Sequence, residues 1–69
     1  MTGLVRRYRR RPVVVSARGP LTEPEDVVTL EGTLRADVGD YVVTGVIGES
    51  WPVRPDVFAA TYEPVEATP

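Results

Sequence analysis

The chain has 69 residues, of which 42% are hydrophobic and 26% charged, and its formal net charge at pH 7 is −2. It contains no histidine, cysteine or lysine, so the commonest general base, the thiolate nucleophile and the Schiff-base amine are excluded, as are zinc fingers, disulfide scaffolds and P-loops. No apolar run approaches the roughly 20 residues that span a bilayer, so we expect a soluble protein without a membrane partner.

A single domain of this size, residues 1–69, buries only about 60% of the surface that its unfolded chain exposes. We expect the isolated domain to be marginally stable, because neither disulfides nor Cys or His metal sites can add to its stability. Self-association is the remaining source of buried area, so we expect a homo-oligomer.

Charge is distributed unevenly along the chain. The first 18 residues hold six arginines and no acid, whereas residues 19–69 hold two arginines and ten acids. This asymmetry indicates either a basic patch for an anionic partner or a basic arm that lies on an acidic body, of its own chain or of a neighbour. The alternative is a solvated, mobile arm. We interpret residues 1–7 as a flexible basic arm and residues 66–69 as a frayed tail.

The run PVVVSAR at residues 12–18 predicts a first β-strand, because it is rich in β-branched residues and is followed by Gly19-Pro20. Alternation does not decide which face of this strand is buried, the face with Val13 and Val15 or the face with Val14. The acidic, proline-broken residues 21–26 predict a loop.

Residues 27–36 alternate almost completely and predict one half-buried strand. Its apolar face is expected to carry Val28, Leu30, Leu34 and Ala36, with Gly32 allowing a bulge or the close approach of another backbone. Residues 37–40 then form a turn. A third strand follows at residues 41–46, and valines on both of its faces predict a central position.

The final third of the chain predicts a hairpin, an edge strand, a helix and a last strand. Gly48 is expected to supply a positive φ angle in the turn, and Pro52 confines the strand at residues 49–53 to a sheet edge. Residues 55–61 begin with Pro-Asp and predict a short helix, and residues 62–65 a last strand. The predicted fold is therefore mainly β (small α+β), with about five short strands in a twisted sheet or partial barrel and one short C-terminal helix. Besides the undecided valines of the first strand, the expected core consists of Val28, Leu30, Leu34, Val43, Val53 and Phe58.

Three stretches in one order carry a resemblance to a known group of proteins. They are YRRRPVVVSAR, TLEGTLRADVGDYVVTGVIGESWPVRPD and FAATYEPV, which together cover nearly all of residues 8–65. The chain resembles a family of short, uncharacterised phage and prophage proteins that pair an N-terminal Tyr-basic-Pro-Val-Val stretch with a Gly-Asp-Tyr strand and a terminal Thr-Tyr-Glu-Pro-Val. The resemblance implies a viral origin. Since no secretory signal is evident, it also implies a place in the cytoplasm of an infected bacterial host.

The strongest functional candidate is the basic stretch around Tyr8. In an extended segment Arg7, Arg9 and Arg11 project from one side and Arg6, Tyr8 and Arg10 from the other. Guanidinium groups bind phosphate in bidentate fashion, and aromatic faces stack on bases. We therefore predict an anionic-nucleotide site formed by Arg7, Tyr8, Arg9, Arg10, Arg11, Trp51 and Arg54. Trp51 and Tyr41 also have a structural interpretation, as core aromatics paired across strands.

The remaining polar residues favour no catalysis, cofactor or metal. Asp37, Asp40 and Glu49 could share a divalent cation, but Asp37 and Asp40 are better explained as turn formers. Ser16 and Ser50 have no histidine to activate them. No catalytic or metal-binding residue is predicted.

Three functions remain open. The first is a non-enzymatic, oligomeric binder that sequesters an anionic nucleotide signal of host antiviral defence. The second is a protein–protein inhibitor that docks on a host factor by a strand edge or an acidic surface, with Glu31 and Glu49 as the positions to test. The third is a minor nucleic-acid-binding or virion accessory protein, although the acidic remainder of the chain disfavours long nucleic acid as a partner.

Overall fold

A computed structural model describes residues 3, 6–9 and 12–65. Within this part of the chain the predicted class is confirmed: the fold is mainly β, with five short strands in two antiparallel sheets and one short helix, and the sheets do not close into a barrel. The elements in chain order are β1 (Ser16–Arg18), β2 (Glu25–Thr29), β3 (Gly32–Ala36), β4 (Tyr41–Thr44), β5 (Ser50–Val53) and α1 (Pro55–Thr61).

Strand β4 is the centre of a three-stranded sheet, as its valines on both faces predicted. It pairs antiparallel with β1 on one side and with β5 on the other. Successive side chains of a strand point to opposite faces, and here both faces are covered, since Val42 is 4% exposed and Val43 fully buried. Hydrophobic layers therefore lie on both sides of this one strand.

Strand β5 lies at an edge of the same sheet, which confirms the expectation from Pro52. Pro52 is opposite Val42 in the register, and a proline cannot donate a backbone hydrogen bond to a ladder. The turn before β5 has the predicted positive φ at Gly48, which is 84°. It is longer than predicted, because β4 ends at Thr44 and the turn occupies residues 45–49.

The predicted single strand at residues 27–36 is wrong, because this stretch is a β-hairpin. Strands β2 and β3 pair antiparallel, and Thr29 is opposite Gly32 across a two-residue turn. The Thr29 hydroxyl donates to the carbonyl of Gly32 at 2.6 Å and accepts from the backbone N–H of Glu31 at 3.1 Å. Gly32 has a φ of 118°, a conformation that favours glycine. Gly32, which was expected to allow a bulge or the close approach of another backbone, therefore ends the turn of a hairpin instead.

This turn also overturns part of the predicted core. Val27 pairs with Leu34 across the hairpin. The buried face therefore carries odd-numbered residues before the turn and even-numbered residues after it. Val28 points to the opposite face and is 76% exposed, Leu30 lies in the turn and is exposed, and Leu34 faces inward but is only about half covered. Continuous alternation through the turn would have placed Val28 and Leu34 on one face, which is why the sequence pattern misled.

One part of the core lies between the hairpin and the sheet. It consists of Leu21, Val27, Ala36 and Val42, all buried. Leu21 belongs to the stretch predicted as a loop and was missed as a core residue. Two backbone hydrogen bonds hold it in place, from its N–H to the carbonyl of Asp40 at 2.9 Å and from the N–H of Gly39 to its own carbonyl at 2.8 Å.

The other face of the sheet carries α1, held by an aromatic stack. The rings of Tyr41 and Phe58 are nearly parallel with centroids 3.9 Å apart, and Tyr62 lies 5.1 Å beyond Phe58. Phe58 is half-buried and Val53 buried, so both predicted core positions contact this layer. Gly19 permits the approach of Tyr41, since a Cβ at Gly19 would lie 2.9 Å from the Tyr41 ring.

The predicted strands at the two ends of the chain are shorter or missing. Only Ser16–Arg18 of the first prediction is a strand, and residues 62–65 form none. Val13 and Val14 are exposed and Val15 is half-buried, so neither of the two alternatives for the first strand gives a buried pair. Of the predicted basic arm, residues 3, 6 and 7 are described, without regular structure, and the predicted frayed tail at 66–69 lies outside the described residues.

The hairpin register can be tested with two neighbouring valines. Val27→Ala removes buried methyl groups and should lower the free energy of unfolding by about 1.5–3 kcal/mol, as measured by urea denaturation. Val28→Ala, one residue along the same strand, should change it by less than about 0.5 kcal/mol, because that side chain is exposed. A larger loss for Val28→Ala than for Val27→Ala would contradict the register.

Candidate functional site

The residues predicted to bind an anionic nucleotide fall into two separate groups. Arg7, Tyr8 and Arg9 are exposed and outside regular structure, and Tyr8 is 87% exposed. Trp51 is half-buried on β5, and Arg54 is exposed immediately before α1. Arg10 and Arg11 lie outside the described residues. Within the described part of the chain, no side-chain hydrogen bond or ion pair joins the first group to the second, so the complete site stays a prediction.

The arginines of the folded body are all paired with carboxylates. Arg18 forms a bidentate ion pair with Glu25. Arg35 pairs with Asp26 at 3.1 Å across the hairpin, and Arg54 pairs with Asp56 at 3.3 Å. In contrast, no ion pair connects Arg6, Arg7 or Arg9 to a carboxylate of the described residues. The positive charge of this segment is therefore not neutralised by the described body.

The pair between Arg18 and Glu25 links β1 to the start of the hairpin. Hydrogen bonds from the Arg18 guanidinium, together with its positive charge, hold the pKa of Glu25 below the ordinary value of 4.5. The same hydrogen bonds, together with the negative charge of Glu25, raise the pKa of Arg18. Both side chains are substantially exposed. The pair therefore belongs to the body's structure and leaves Arg18 engaged.

Asp40 and Glu49, two of the three candidate cation ligands, stabilise turns by accepting backbone hydrogen bonds. Asp40 accepts a hydrogen bond from the backbone N–H of Asp37 at 2.9 Å, and Glu49 accepts one from that of Ile47 at 3.1 Å. The Glu49 carboxylate also covers Gly45, where a Cβ would lie 2.6 Å from it. Among the residues that the structure describes, no group of three Asp, Glu, His or Cys side chains could hold a metal ion.

Glu31 and Glu49 meet at one groove, although they are 18 positions apart in the chain. The groove has a volume of about 240 Å³ and lies between the β2–β3 turn and β5. Its lining combines apolar side chains, two hydroxyls and these two carboxylates, and consists of Thr29, Leu30, Glu31, Leu34, Glu49, Ser50 and Trp51. We call it the Trp51 groove. Sequence reasoning missed it, because it exists only when the hairpin turns at residues 30–31 and packs on β5.

A second, larger groove lies on the helix side of the sheet. Its volume is about 520 Å³, and two extended segments, residues 13–15 and 63–65, flank it. Ala17, Phe58 and Tyr62 complete its lining. Trp51 also lines a neighbouring groove with residues 12–15.

No family model matches the chain, and comparison with curated proteins and with solved structures finds no match either. No helix in the described residues is both long and apolar enough to cross a membrane.

The Arg18–Glu25 pair makes stability depend on pH in a defined direction. Because the pKa of Glu25 is lowered on folding, the stabilisation is present above its ordinary pKa of 4.5 and is lost as the pH falls through the lowered value. Arg18→Gln should return the pKa of Glu25 toward 4.5, measured by NMR titration of the side-chain carboxyl carbon. Arg54→Gln serves as the control and should leave it unchanged. An unaltered Glu25 pKa in Arg18→Gln would contradict the pairing.

Proposed function

We propose that this protein is a non-enzymatic phage accessory protein that binds and sequesters a small anionic nucleotide through its basic N-terminal segment, residues 6–11. One observation carries the proposal: the body's own arginines are paired with carboxylates, whereas Arg6, Arg7 and Arg9 have no ion pair among the described residues. Unpaired guanidinium groups at the surface are the donors that an external phosphate requires.

The chemistry of the segment fits a nucleotide better than a simple anion. Tyr8 is 87% exposed, so its ring faces are open for stacking on a base. Arg7 and Arg9 flank it in sequence and provide planar donor pairs for phosphate oxygens. Donors for phosphate and a ring for base stacking therefore lie within three consecutive residues.

A compact ligand is favoured over long DNA or RNA. Residues 19–69 carry a net charge of −8, and an acidic body repels a polyanion that extends beyond the basic segment. A nucleotide with one or two phosphates needs only the few arginines that the segment contains. The resemblance to phage proteins supports a signal nucleotide of host antiviral defence as the biological ligand.

Sequestration rather than turnover follows from the available side chains. The chain has no histidine, cysteine or lysine. The Ser50 hydroxyl bonds to the Thr44 hydroxyl at 2.9 Å, and neither is a base able to activate the other as a nucleophile. We therefore propose that a bound nucleotide is held and not converted.

Isothermal titration with a panel of cyclic mono- and dinucleotides tests the proposal. The double variant Arg7→Ala, Arg9→Ala should weaken the best ligand by about a hundredfold, since a hydrogen bond to a charged group contributes roughly 1.5–3 kcal/mol. Arg35→Ala removes the same charge from the paired body and should change affinity less than about threefold. Equal effects of the two sets of changes, or no nucleotide bound by the unaltered protein, would contradict the proposal.

A second candidate function is inhibition of a host protein by direct docking. The observation that favours it is the exposure of large apolar side chains on the β2–β3 hairpin and in the turn before β5. Val28 and Leu30 on the hairpin, and Val46 and Ile47 before β5, are each 74–78% exposed, and such side chains are typical of protein interfaces when they cluster.

Capture from host lysate separates this second function from the first. Glu31→Arg reverses an exposed charge beside Leu30 and should abolish recovery of a specific host protein, whereas Arg7→Ala with Arg9→Ala should retain it, as judged by mass spectrometry of the captured material. Glu31 is the better position because Glu49 holds its own turn. The opposite ranking of the two variants would count against docking by this surface.

A further inference from the structure

We propose that the Trp51 groove receives an arginine side chain from the basic segment of a second copy of this chain, so that two copies exchange their N-terminal segments. Leu30, Leu34 and Trp51 provide the apolar lining of the groove, and Glu31 and Glu49 provide its carboxylates. This inference does not depend on nucleotide binding.

The groove matches the chemistry of an arginine side chain. Arginine has an apolar stem that packs on aliphatic and aromatic surface, and a planar cation that stacks on a tryptophan ring and binds carboxylates. Trp51 and the two leucines suit the stem and the stacked guanidinium, while Glu31 and Glu49 supply the opposite charge. An arginine side chain accounts for both parts of the lining, the apolar side chains and the two carboxylates.

The two carboxylates have capacity for such a cation. No hydrogen bond or ion pair engages the exposed side chain of Glu31 within the described residues. Glu49 uses Oε1 to accept from Ile47, and its other oxygen is free of hydrogen bonds in the same part of the chain. A docked guanidinium therefore need not break a bond that holds the fold.

The basic segment is the part of the chain that can supply the arginine. All eight basic residues are arginines, and those of the body are engaged in the ion pairs described above. This leaves the segment at residues 6–11, of which Arg6, Arg7 and Arg9 are described and exposed. In an extended segment, Arg7 and Arg9 project from the same side about 7 Å apart.

A second copy fits this arrangement better than the same chain. The Cα radius of gyration is 15.1 Å, compared with about 11 Å for a compact domain of this length, and residues 6–9 lie exposed and do not line the groove. Charge complementarity between copies is built in, because residues 1–18 carry +6 and residues 19–69 carry −8. Reciprocal exchange of the segments satisfies both grooves and closes a two-fold dimer.

Exchange would also unite the two groups of predicted ligand-binding residues. Arg7, Tyr8 and Arg9 of one copy would adjoin Trp51 of the other, although a single chain keeps them apart. A stacked Arg7 or Arg9 would leave Tyr8 on the opposite side of the extended segment. The dimer junction would therefore present the open tyrosine ring beside the edge strand β5.

The first experiment measures assembly and groove occupancy together. Trp51 is the only tryptophan, so intrinsic fluorescence reports on the groove without a label. Over a dilution series at 50 mM NaCl, sedimentation should show a dimer dissociating to a monomer, with a parallel change in Trp51 emission at the same midpoint. Raising NaCl to 500 mM should shift that midpoint to at least tenfold higher protein concentration.

Charge exchange between two chains identifies the contact. Glu31→Arg alone, and the double variant Arg7→Glu with Arg9→Glu alone, should each raise the dimer dissociation constant at least tenfold. An equimolar mixture of the two should recover a dimer, because each altered groove then meets a segment of opposite charge. Glu23→Arg makes the same charge change at an exposed loop position outside the groove and should stay within threefold of the unaltered protein.

Three outcomes would overturn the inference. One is an unaltered protein that stays monomeric throughout the series. Another is a Trp51 emission that responds to Arg7→Glu with Arg9→Glu but not to protein concentration, which would place the segment in the groove of its own chain. The last is a dimer that tolerates Glu31→Arg as well as Glu23→Arg, which would place the dimer contact elsewhere. Each is distinct from a failure to bind nucleotide.

Discussion

The rest of the structure depends on the burial of β4 on both of its faces. Val42 faces the hairpin and packs with Leu21 and Val27, while Val43 is fully buried on the side that carries the helix. Because adjacent residues of a strand point in opposite directions, four residues are enough to hold together two layers that do not otherwise share a core. Strand β5 takes its position from β4 by pairing with it, and the hairpin takes its position by packing on Val42. The central strand therefore places both sides of the Trp51 groove.

Charge is organised around this scaffold in two different ways. Within the body, arginines are matched to nearby carboxylates, and the pair Arg18–Glu25 also connects the sheet to the hairpin. Surface pairs of this kind add little stability, but they engage guanidinium groups that could otherwise bind other molecules. The basic segment has no such match among the described residues, so its charge is directed outward. Both of our proposals depend on this division of charge, because the basic segment would meet either a nucleotide or the carboxylates of another copy.

Local signals in the sequence predicted many elements correctly. The central position of β4, the edge position of β5, the positive φ at Gly48 and the helix over residues 55–61 each follow from residues within a few positions of the feature. The error at residues 27–36 arose because alternation alone cannot distinguish a strand that continues from one that reverses. The prediction for residues 27–36 counted one strand too few, and the prediction for residues 62–65 counted one too many. The predicted total of about five strands is therefore still correct.

The sequence by itself determined the class of fold, the missing catalytic side chains and the separation of a basic segment from an acidic body, since composition, turn residues and β-branched runs act locally. The tertiary structure decided which side chains are covered and which meet. The hairpin turn at residues 30–31 selected Val27 over Val28 for the core, and the packing of that hairpin on β5 brought Glu31 to Glu49 beside Trp51. Such contacts join residues that are distant along the chain, and no local preference specifies them. They depend on which faces remain to be buried after the strands have paired.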